Sequence, residues 1–487
     1  MTALHSIKTI AVAATLATTL HAQEKPNILF IFADDHAYAA INSHGNKEVK
    51  TPNLDKLTAG GTRFSHAYNS GAWNGAVCMA SRAMMMTGRQ VWNAHKANQN
   101  EMIANKQFFP QLMQSAGYET YFSGKWHVGS SKNCETAWVN TKNIRPGMPN
   151  QTKERYNRNW TPGKDDWSPV DPKFTGFWKG GKHWSEVLAD DGKEFLKQAA
   201  KSDKPFMMML CFNAPHDPRQ APQKYQDMYP YDSVSIPKNF LKDYPLQVGS
   251  NRIRDEKLGP FPRTHYSTKV NRSEYYALIS HMDTQIGHIL DALEATGKAD
   301  NTIIIYSADH GLGVGQHGFL GKQNMYEHSV RAPWIISGKG IPKGKTVSQP
   351  IYIQDAMATC LDLGGVKKPE HVEFESVMPL LKGDATKARK QMYSCYISFQ
   401  RMVTENKFKY ILYPLIKKER LFDLENDPFE LNDLAGDSKH ADKLKHMRTV
   451  LDQQMKAMND PMDLSDPEAS YKAGTQRKGN KKKKGGK

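Results

Sequence analysis

Cysteine is scarce in this chain, with five residues in 487, and the five are far apart. Their number is odd, and they lack the dense spacing of a small secreted protein that is held together by disulfides. The sequence therefore excludes a disulfide framework. A chain of this length can instead bury a large hydrophobic core, and we expect one large domain and one smaller domain.

Long apolar runs are missing after the N-terminus, so we expect no helix that spans a membrane. The first 22 residues have the layout of a secretory signal peptide. Lys8 supplies the basic region, Ile10 to Leu20 form a short apolar core, and Ala22 is a suitable cleavage point. We predict that residues 1–22 are removed and that the mature protein is periplasmic or secreted.

Acidic residues are missing from the C-terminal tail, residues 471–487, which reads "YKAGTQRKGNKKKKGGK" and carries eight positive charges. Its Lys/Gly-rich composition predicts disorder. The whole chain has a net charge of +16, so the rest of the protein keeps about half of the excess. That moderate surplus favours an anionic substrate. No nucleic-acid partner is expected, because no nucleic-acid motif is present.

Residues capable of catalysis follow four apolar runs of strand length, in "PNILFIFADDH", "YETYFSGKWHVG", "KPFMMMLCFNAPHDP" and "NTIIIYSADHG". These residues are Asp34 and Asp35, Lys125 and His127, His216, and Asp309 and His310. Helical patterns lie between the runs, for example at Gln107 to Ala116 and Ser273 to Thr296. The alternation predicts an α/β fold with a large, mixed but mostly parallel sheet flanked by helices. In such a fold the site lies beyond the carboxyl ends of the strands.

Three of these residues, Asp34, Asp35 and Asp309, are hard oxygen ligands of the kind that calcium prefers, and magnesium after it. The set has no pair of thiolates, which argues against a zinc site. An alternative stays open for each residue alone, because Asp35 could cap the next helix and Asp309 could form a turn.

Cys78 is the one cysteine whose surroundings suggest chemistry. It is the second residue of "VCMASRAMMMTGR", which follows a Gly/Ala/Asn-rich stretch and predicts a helix that begins close to Cys78. Cys211 and Cys360 lie in apolar runs and are expected in the core. The free N–H groups at a helix start favour an anion, so this position suits a group that handles a negatively charged substrate.

The chain is predicted to divide at about residue 388. Residues 23–388 would form the large domain, and residues 389–470 a smaller α+β domain. In the second part, "QMYSCYISF", "RMVTEN" and "FKYILYPL" predict short antiparallel strands, and "ADKLKHMRTVLDQQMKAM" predicts a closing helix.

Two segments between the motifs are candidates for substrate contact. Residues 134–184 are rich in aromatic side chains, whose faces can stack on sugar rings, although packing under long loops explains them equally well. Residues 232–272 are rich in basic side chains, which can contact neighbouring anionic groups. Among them are Arg252, Arg254, Lys257, Arg263, Lys269 and Arg272.

The stretch "CMASR" followed by "AMMMTGR" resembles the signature of the type I, formylglycine-dependent sulfatases of the alkaline phosphatase superfamily. Ala80 stands where the commonest form has proline. Further similar stretches follow in the family's order from about Lys25 to Gly436. They are "TPNLDKLTAGGTRFSHAY", "GKWHVG", "NAPHDP", "SADHGLGVGQHG", "GKQNMYEHSVRAP" and "LFDLENDPFELNDLA".

The resemblance implies a sulfuric ester hydrolase that acts on a sulfated oligo- or polysaccharide. It also implies that a formylglycine-generating maturase oxidises Cys78 to formylglycine (3-oxoalanine). One hydroxyl of the aldehyde hydrate would attack the sulfur of the ester, and the second would allow sulfate to be expelled afterwards. One calcium ion would be bound by Asp34, Asp35, Asp309 and His310 together with residue 78.

The remaining roles also follow from the resemblance. Arg82 would hold the formylglycine, and Lys125 and Lys322 would bind sulfate oxygens. His127 would be the general base of the elimination step, and His216 would protonate the leaving alcohol.

Two other functions stay open at this point. The first is a phosphate mono- or diesterase of the same superfamily, against which Cys78, Arg82 and the small number of candidate metal ligands argue. The second is a glycan-binding pseudoenzyme in which Cys78 remains a thiol, because its maturation depends on another protein.

Overall fold

The computed structural model describes residues 25–150, 152–178, 180–249 and 251–472. The predicted signal peptide lies outside the described residues, and so does the predicted tail apart from Tyr471 and Lys472.

The centre of the molecule is an eight-stranded sheet in the order β10-β2-β9-β7-β1-β6-β4-β5. The strands of the described chain are β1 (Asn27–Ala33), β2 (Gly61–Phe64), β3 (Ala67–Tyr68), β4 (Glu119–Lys125), β5 (Asn140–Arg145), β6 (Phe206–Cys211), β7 (Thr302–Ala308), β8 (Arg331–Ala332), β9 (Trp334–Ser337), β10 (Lys345–Val347), β11 (Ile351–Tyr352), β12 (Gln391–Tyr396), β13 (Gln400–Glu405), β14 (Phe408–Tyr413) and β15 (Lys418–Asp423). β7, β1, β6, β4 and β5 are parallel, and β9 runs antiparallel between β7 and β2.

The register of the parallel strands explains where the site forms. Ala33 at the end of β1 pairs with Ala308 at the end of β7, and Phe32 pairs with Cys211 at the end of β6. The residues that follow these strands therefore begin at one edge of the sheet. β1 is buried on both faces, which is why its sequence is continuously apolar rather than alternating.

Helices cover the sheet and carry several of the predicted residues. They are α1 (Pro52–Gly60), α2 (Val77–Thr87), α3 (Val91–Lys96), α4 (Gln99–Ala104), α5 (Phe109–Ser115), α6 (Ser131–Ala137), α7 (Lys153–Tyr156), α8 (Trp184–Ala199), α9 (Gln223–Gln226), α10 (His265–Glu294), α11 (Glu327–Val330), α12 (Asp355–Leu363), α13 (Met378–Leu381) and α14 (Ala441–Ala457). The start of α10 differs from the expected Ser273, because Thr264 caps the helix by accepting a hydrogen bond from the Ser267 amide. Lys269 and Arg272 therefore belong to a helix rather than to a loop.

β12 to β15 form a second, antiparallel sheet, and α14 packs on it. The fourth strand, β15, was not predicted. The mixed α/β class with a small antiparallel sheet and helix is confirmed, whereas the boundary at residue 388 stays a prediction. The smaller sheet contacts the loop that carries Lys322, since Gln400 on β13 donates to the Gln323 carbonyl oxygen at 3.0 Å.

The five cysteines all lie among the described residues, are all buried, and form no disulfide. Cys211 and Cys360 are core residues, as predicted. Among the described residues, no helix is both long and apolar enough to cross a bilayer.

The aromatic segment at 134–184 mostly serves packing. Trp138, Trp167 and Trp184 are buried, as are Phe174 and Phe177. Stacking on a sugar is therefore ruled out for these side chains in this conformation. Trp160 and Trp178 are only partly buried, and for them the prediction stays open.

Candidate active site

Cys78 lies in the first turn of α2, as its sequence predicts, and its side chain is buried. No side chain caps this helix at Ala76. The amide of Ala76 instead donates to Asn74 Oδ1 at 2.8 Å, which fixes the approach to the helix. The first-turn N–H groups and the helix dipole therefore favour negative charge at residue 78.

The three predicted metal carboxylates come together because β1 and β7 are neighbours. Asp34 and Asp35 follow β1, Asp309 follows β7, and the Asp35 amide donates to Asp309 Oδ1 at 3.2 Å. Asp35 has φ +65°, a left-handed conformation that is rare for a residue with a side chain. The hydroxyl of Tyr275 on α10 stabilises this turn by donating to the Asp35 carbonyl oxygen at 2.6 Å.

The donor set fits a divalent cation. Asp34, Cys78, Asp309 and His310 each offer a ligand atom, and the four atoms lie within 4.8 Å of one another. One of these ligand atoms lacks a partner, since Asp34 Oδ1 makes no hydrogen bond among the described residues, and His310 Nε2 lies 3.1 Å from Asp35 Oδ1. Burial, with Asp309 close by, raises the pKa of Asp34 well above its usual 3.8. A cation would relieve both the repulsion and the missing contact of Asp34.

Each carboxylate is paired with one buried cation. Lys125 contacts Asp34, and Arg82 Nε lies 3.0 Å from Asp309 Oδ2. Lys322 Nζ lies 2.6 Å from Asp35 Oδ2 and 2.9 Å from Oδ1.

Neighbouring anionic groups keep Lys322 and Arg82 charged. Burial disfavours the ammonium form of Lys322, but Asp35 and Cys78 beside it keep its pKa well above the usual 10.5. Arg82 also donates to the Lys125 carbonyl oxygen at 2.9 Å, so its guanidinium cannot turn away from the site. Lys322 and Arg82 are therefore positive charges held in fixed positions in the site.

The thiol of Cys78 responds to this charge. Burial alone would raise its pKa, but Lys125, Lys322 and hydrogen bonds from His127 and His216 bring the pKa well below its usual 9.0. The position therefore stabilises an anion at residue 78, whichever group it carries.

His216 follows β6 and points one ring nitrogen into the site. Its Nδ1–H donates to the Asp217 carbonyl oxygen at 2.6 Å and lies 3.2 Å from Asp217 Oδ1. Nε2 is 3.8 Å from Asp35 Oδ2, and the ring contacts Cys78 through the hydrogen bond that lowers the pKa of the thiol. Nε2 is thus the ring nitrogen that faces residue 78 and a substrate bound there.

His127 follows β4 with a φ of +57°, and its ring packs against Gly147. A Cβ at residue 147 would stand 2.4 Å from His127 Nε2, so a larger residue would displace the ring. Burial lowers the pKa of His127 below its usual 6.5. A neutral imidazole of this kind can accept a proton.

The structure brings together all ten residues predicted for the site. They are Asp34, Asp35, Cys78, Arg82, Lys125, His127, His216, Asp309, His310 and Lys322. Sequence reasoning missed Asp217, Gly147 and Tyr275. Asp217 stands next to His216 in the sequence and could have been considered, whereas Tyr275 is a helix residue 240 positions away from Asp35.

Comparison with known proteins gives consistent matches. The family profile described as Sulfatase matches residues 26–366. The profile described as N-sulphoglucosamine sulphohydrolase, C-terminal, matches residues 315–457. The chain is similar to an N-acetylglucosamine-6-O-sulfatase of Bacteroides thetaiotaomicron, with 26% identity over 90% of this chain and 87% of that protein.

Solved structures share the fold. One is a protein in complex with its substrate D-glucosamine-2-N,6-O-disulfate, with a TM-score of 0.68 and 24% identity over 90% of this chain and 99% of that chain. Another is the phosphonate monoester hydrolase of Agrobacterium radiobacter, with a TM-score of 0.66 and 19% identity over 89% of this chain and 96% of that chain. At these identities the likeness shows the fold alone.

Proposed function

The chain belongs to the sulfatase family and is a sulfuric ester hydrolase, and from this premise we propose that it removes sulfate from a sulfated carbohydrate by means of a formylglycine at residue 78 and a calcium ion. The observation that carries the proposal is the position of Cys78. It lies at the start of α2, and its Sγ lies within 4.8 Å of an oxygen of each of the carboxylates of Asp34, Asp35 and Asp309. Each of these carboxylates is paired with a buried cation.

Residue 78 is the reacting group. As a formylglycine hydrate it would offer one hydroxyl for in-line attack on sulfur and a second whose deprotonation expels sulfate. The start of α2 faces it with free N–H groups that favour the charge on the sulfate. Arg82 holds this position from the side, because its guanidinium is fixed by Asp309 and the Lys125 carbonyl oxygen.

The cation site fits calcium best, because its donors are mainly carboxylate oxygens. Asp34, Asp35, Asp309 and His310 would hold the ion, which supplies neutralisation of charge on a sulfate oxygen and on residue 78. Lys125 and Lys322 are then free to donate to the other sulfate oxygens. Fixed donors of this kind lower the barrier because they need no rearrangement as charge develops.

Two histidines divide the proton transfers. His216 holds Nδ1 on Asp217 and turns Nε2 to the site, so it can give a proton to the leaving sugar oxygen. His127 has a depressed pKa and hydrogen-bonds residue 78, so it can take the proton from the second hydroxyl.

A carbohydrate is favoured as the substrate by the relatives, of which one is named for N-acetylglucosamine-6-O-sulfate and one binds a sulfated glucosamine. The predicted signal peptide supports a periplasmic or secreted enzyme. Cys78 would require a formylglycine-generating maturase that acts on this chain.

The experiment is sulfate release by protein produced together with a formylglycine-generating maturase. Wild type should hydrolyse a sulfated hexosamine and an aryl sulfate, and it should hydrolyse the matched aryl phosphate far more slowly. Cys78→Ser should fold but lose nearly all turnover, because a sulfated serine has no second hydroxyl for the elimination. Full activity in Cys78→Ser, or preference for the phosphate ester, would overturn the proposal.

A further inference from the structure

Arg254 is a partly exposed cation that stands directly beside the active site. Its side chain is 36% exposed, whereas its two acidic neighbours, Asp217 and Asp255, are buried. It directly precedes a short 3-10 turn (Asp255–Leu258) in the basic segment and does not follow a strand, so it belongs to none of the predicted catalytic positions.

Both acidic neighbours connect Arg254 to residues with proposed catalytic roles. Asp217 Oδ1 lies 3.7 Å from Arg254 Nη2 and 3.2 Å from Nδ1 of the proposed acid His216. Asp255 contacts Arg254, and its Oδ2 lies 3.8 Å from Lys322 Nζ, the proposed sulfate-binding group. Arg254 is thus one carboxylate away from the groups that meet the leaving oxygen and the sulfate. A sugar attached to that oxygen must lie next to it.

The guanidinium is held in place while the side chain stays partly exposed. Nη2 faces the two carboxylates and Nη1 faces the Met148 sulfur, whereas Nε is buried. Because its orientation is already fixed, binding a ligand costs little side-chain entropy.

The two carboxylates beside Arg254 also accept hydrogen bonds from other side chains. Asp217 accepts from the Tyr156 hydroxyl, and Asp255 accepts from Gln323 Nε2 at 2.9 Å. The side chains of Lys322, Asp217 and Asp255 are at most 4% exposed, whereas that of Arg254 is 36% exposed. Arg254 is therefore the charged group of this set that a bound sugar can reach.

We propose that Arg254 forms a subsite for a second anionic group, a carboxylate or a second sulfate, on the sugar whose sulfate ester is cleaved. This inference rests on the proposed function. Arginine suits both groups, because its planar fork can donate two parallel hydrogen bonds to either one.

Arg252 provides a matched control two residues away. It is 54% exposed, pairs with the exposed Asp243 at 3.3 Å, and covers the Phe261 ring. Neither Asp243 nor Phe261 is a residue of the active site. Loss of Arg252 removes the same charge from the same segment without changing the subsite.

The test compares kcat/KM on three sugars with the same scissile sulfate: one otherwise neutral, one with a second sulfate and one with a carboxylate. Wild type should prefer at least one of the doubly anionic sugars. Arg254→Ala should lower that preference, taken as the ratio to the neutral sugar, roughly 10- to 100-fold, as expected for hydrogen bonds to a charged group. Arg254→Lys should fall between the two, and Arg252→Ala should keep the wild-type ratio.

The ratio distinguishes a role of Arg254 in binding the second anion from a role in positioning His216, because all three sugars need the same proton from His216. An unchanged ratio in Arg254→Ala, or a wild-type preference for the neutral sugar, would overturn the inference. Hydrolysis of an aryl sulfate by the same wild-type preparation shows whether the proposed function holds. If no sulfate ester is cleaved, the proposed function fails and the subsite fails with it.

Discussion

Two buried clusters of charge in this protein differ in construction. The first is the active-site cluster, formed by Asp34, Asp35, Asp309, Lys125, Lys322 and Arg82. The second, which we call the seam cluster, is formed by Glu327 on α11, Lys409 on β14 and Glu430. Lys409 Nζ lies 3.0 Å from Glu327 Oε1 and 2.9 Å from Glu430 Oε1, and the Glu327 amide donates to Glu430 Oε2 at 2.8 Å.

The two clusters differ in whether they present atoms that can bind an ion. The seam cluster joins β14 of the smaller sheet to α11, and Lys409 contacts both glutamates, of which Glu327 also lies 3.5 Å from Arg331. The active-site cluster has as many cations as carboxylates, yet Asp34 Oδ1 has no hydrogen-bond partner among the described residues, and ligand atoms of Asp34, Cys78, Asp309 and His310 lie within 4.8 Å of one another. Burial and charge are therefore common to both clusters, and the convergent ligand atoms at the strand ends distinguish the site that binds something.

Metal removal should separate the clusters most strongly. Chelation should abolish sulfate ester hydrolysis, and calcium should restore it better than zinc. Asp34→Ala and Asp309→Ala should be inactive in the same assay. Calcium should also stabilise wild type by about 2.7 kcal/mol at 100 times its Kd, measured as a rise in thermal midpoint.

Neither Asp34→Ala nor Asp309→Ala should show that rise, whereas a seam variant such as Glu430→Gln should show it in full. Full activity of the chelated protein would mean that the active-site carboxylates are structural, like those of the seam.

Within the active site, His216 and Lys322 should respond differently to the leaving group. His216→Ala should lose about 10²- to 10⁴-fold in rate on a sugar sulfate, whose alkoxide needs a proton. It should lose far less on an aryl sulfate, whose phenolate leaves unaided. Lys322→Ala should slow both, because both develop charge on the sulfate oxygens. Equal losses for His216→Ala on the two substrates would assign that residue to binding.

The seam cluster should affect stability rather than turnover. Lys409→Met leaves two buried carboxylates without their shared cation, so it should lower the free energy of unfolding by about 3–5 kcal/mol. Urea denaturation measures this loss. The folded fraction should hydrolyse aryl sulfate at the wild-type rate per molecule. A variant of normal stability with a reduced rate would contradict the distinction between the clusters.

The smallest expected effect is on the pH dependence of stability. Burial raises the pKa of Glu430 to about 7, above its usual 4.5. The folded protein therefore holds this proton more tightly than the unfolded chain, so the stabilisation is complete below about pH 4.5 and is lost as the pH rises towards 7. The loss amounts to about 3 kcal/mol.

Glu430→Gln should flatten that part of the stability profile, measured by urea denaturation at several pH values. Glu425→Gln, at a glutamate that is 68% exposed in the same part of the chain, is the matched control. A profile for Glu430→Gln that is parallel to the wild-type profile would show that the Glu430 carboxyl is already ionised in the folded state.

The active site could be predicted from the sequence because its residues follow apolar strands whose parallel register is regular. Asp34, His216 and Asp309 each stand within a few residues of a strand end, so the fold class also fixed their proximity. The seam cluster could not be predicted, since Glu327 and Lys409 are 82 positions apart and follow no shared pattern.

Details that depend on tertiary contacts were also beyond the sequence. The space for the His127 ring depends on Gly147, which lies on a separate loop. The early start of α10 depends on a cap at Thr264, and β15 depends on pairing with β14. The burial of Trp138, Trp167 and Trp184 depends on how the segment folds over the sheet, because an aromatic residue has the same sequence signal in a core and on a sugar-binding surface.

Residue 78 can be tested directly as the reacting group by the mass of the peptide that contains it, taken from protein made in its native host. We predict that the sulfur of Cys78 is replaced by the oxygen of an aldehyde, seen as formylglycine or its hydrate. If a preparation hydrolyses sulfate esters while all of its residue 78 remains an unmodified cysteine, formylglycine is not the reacting group.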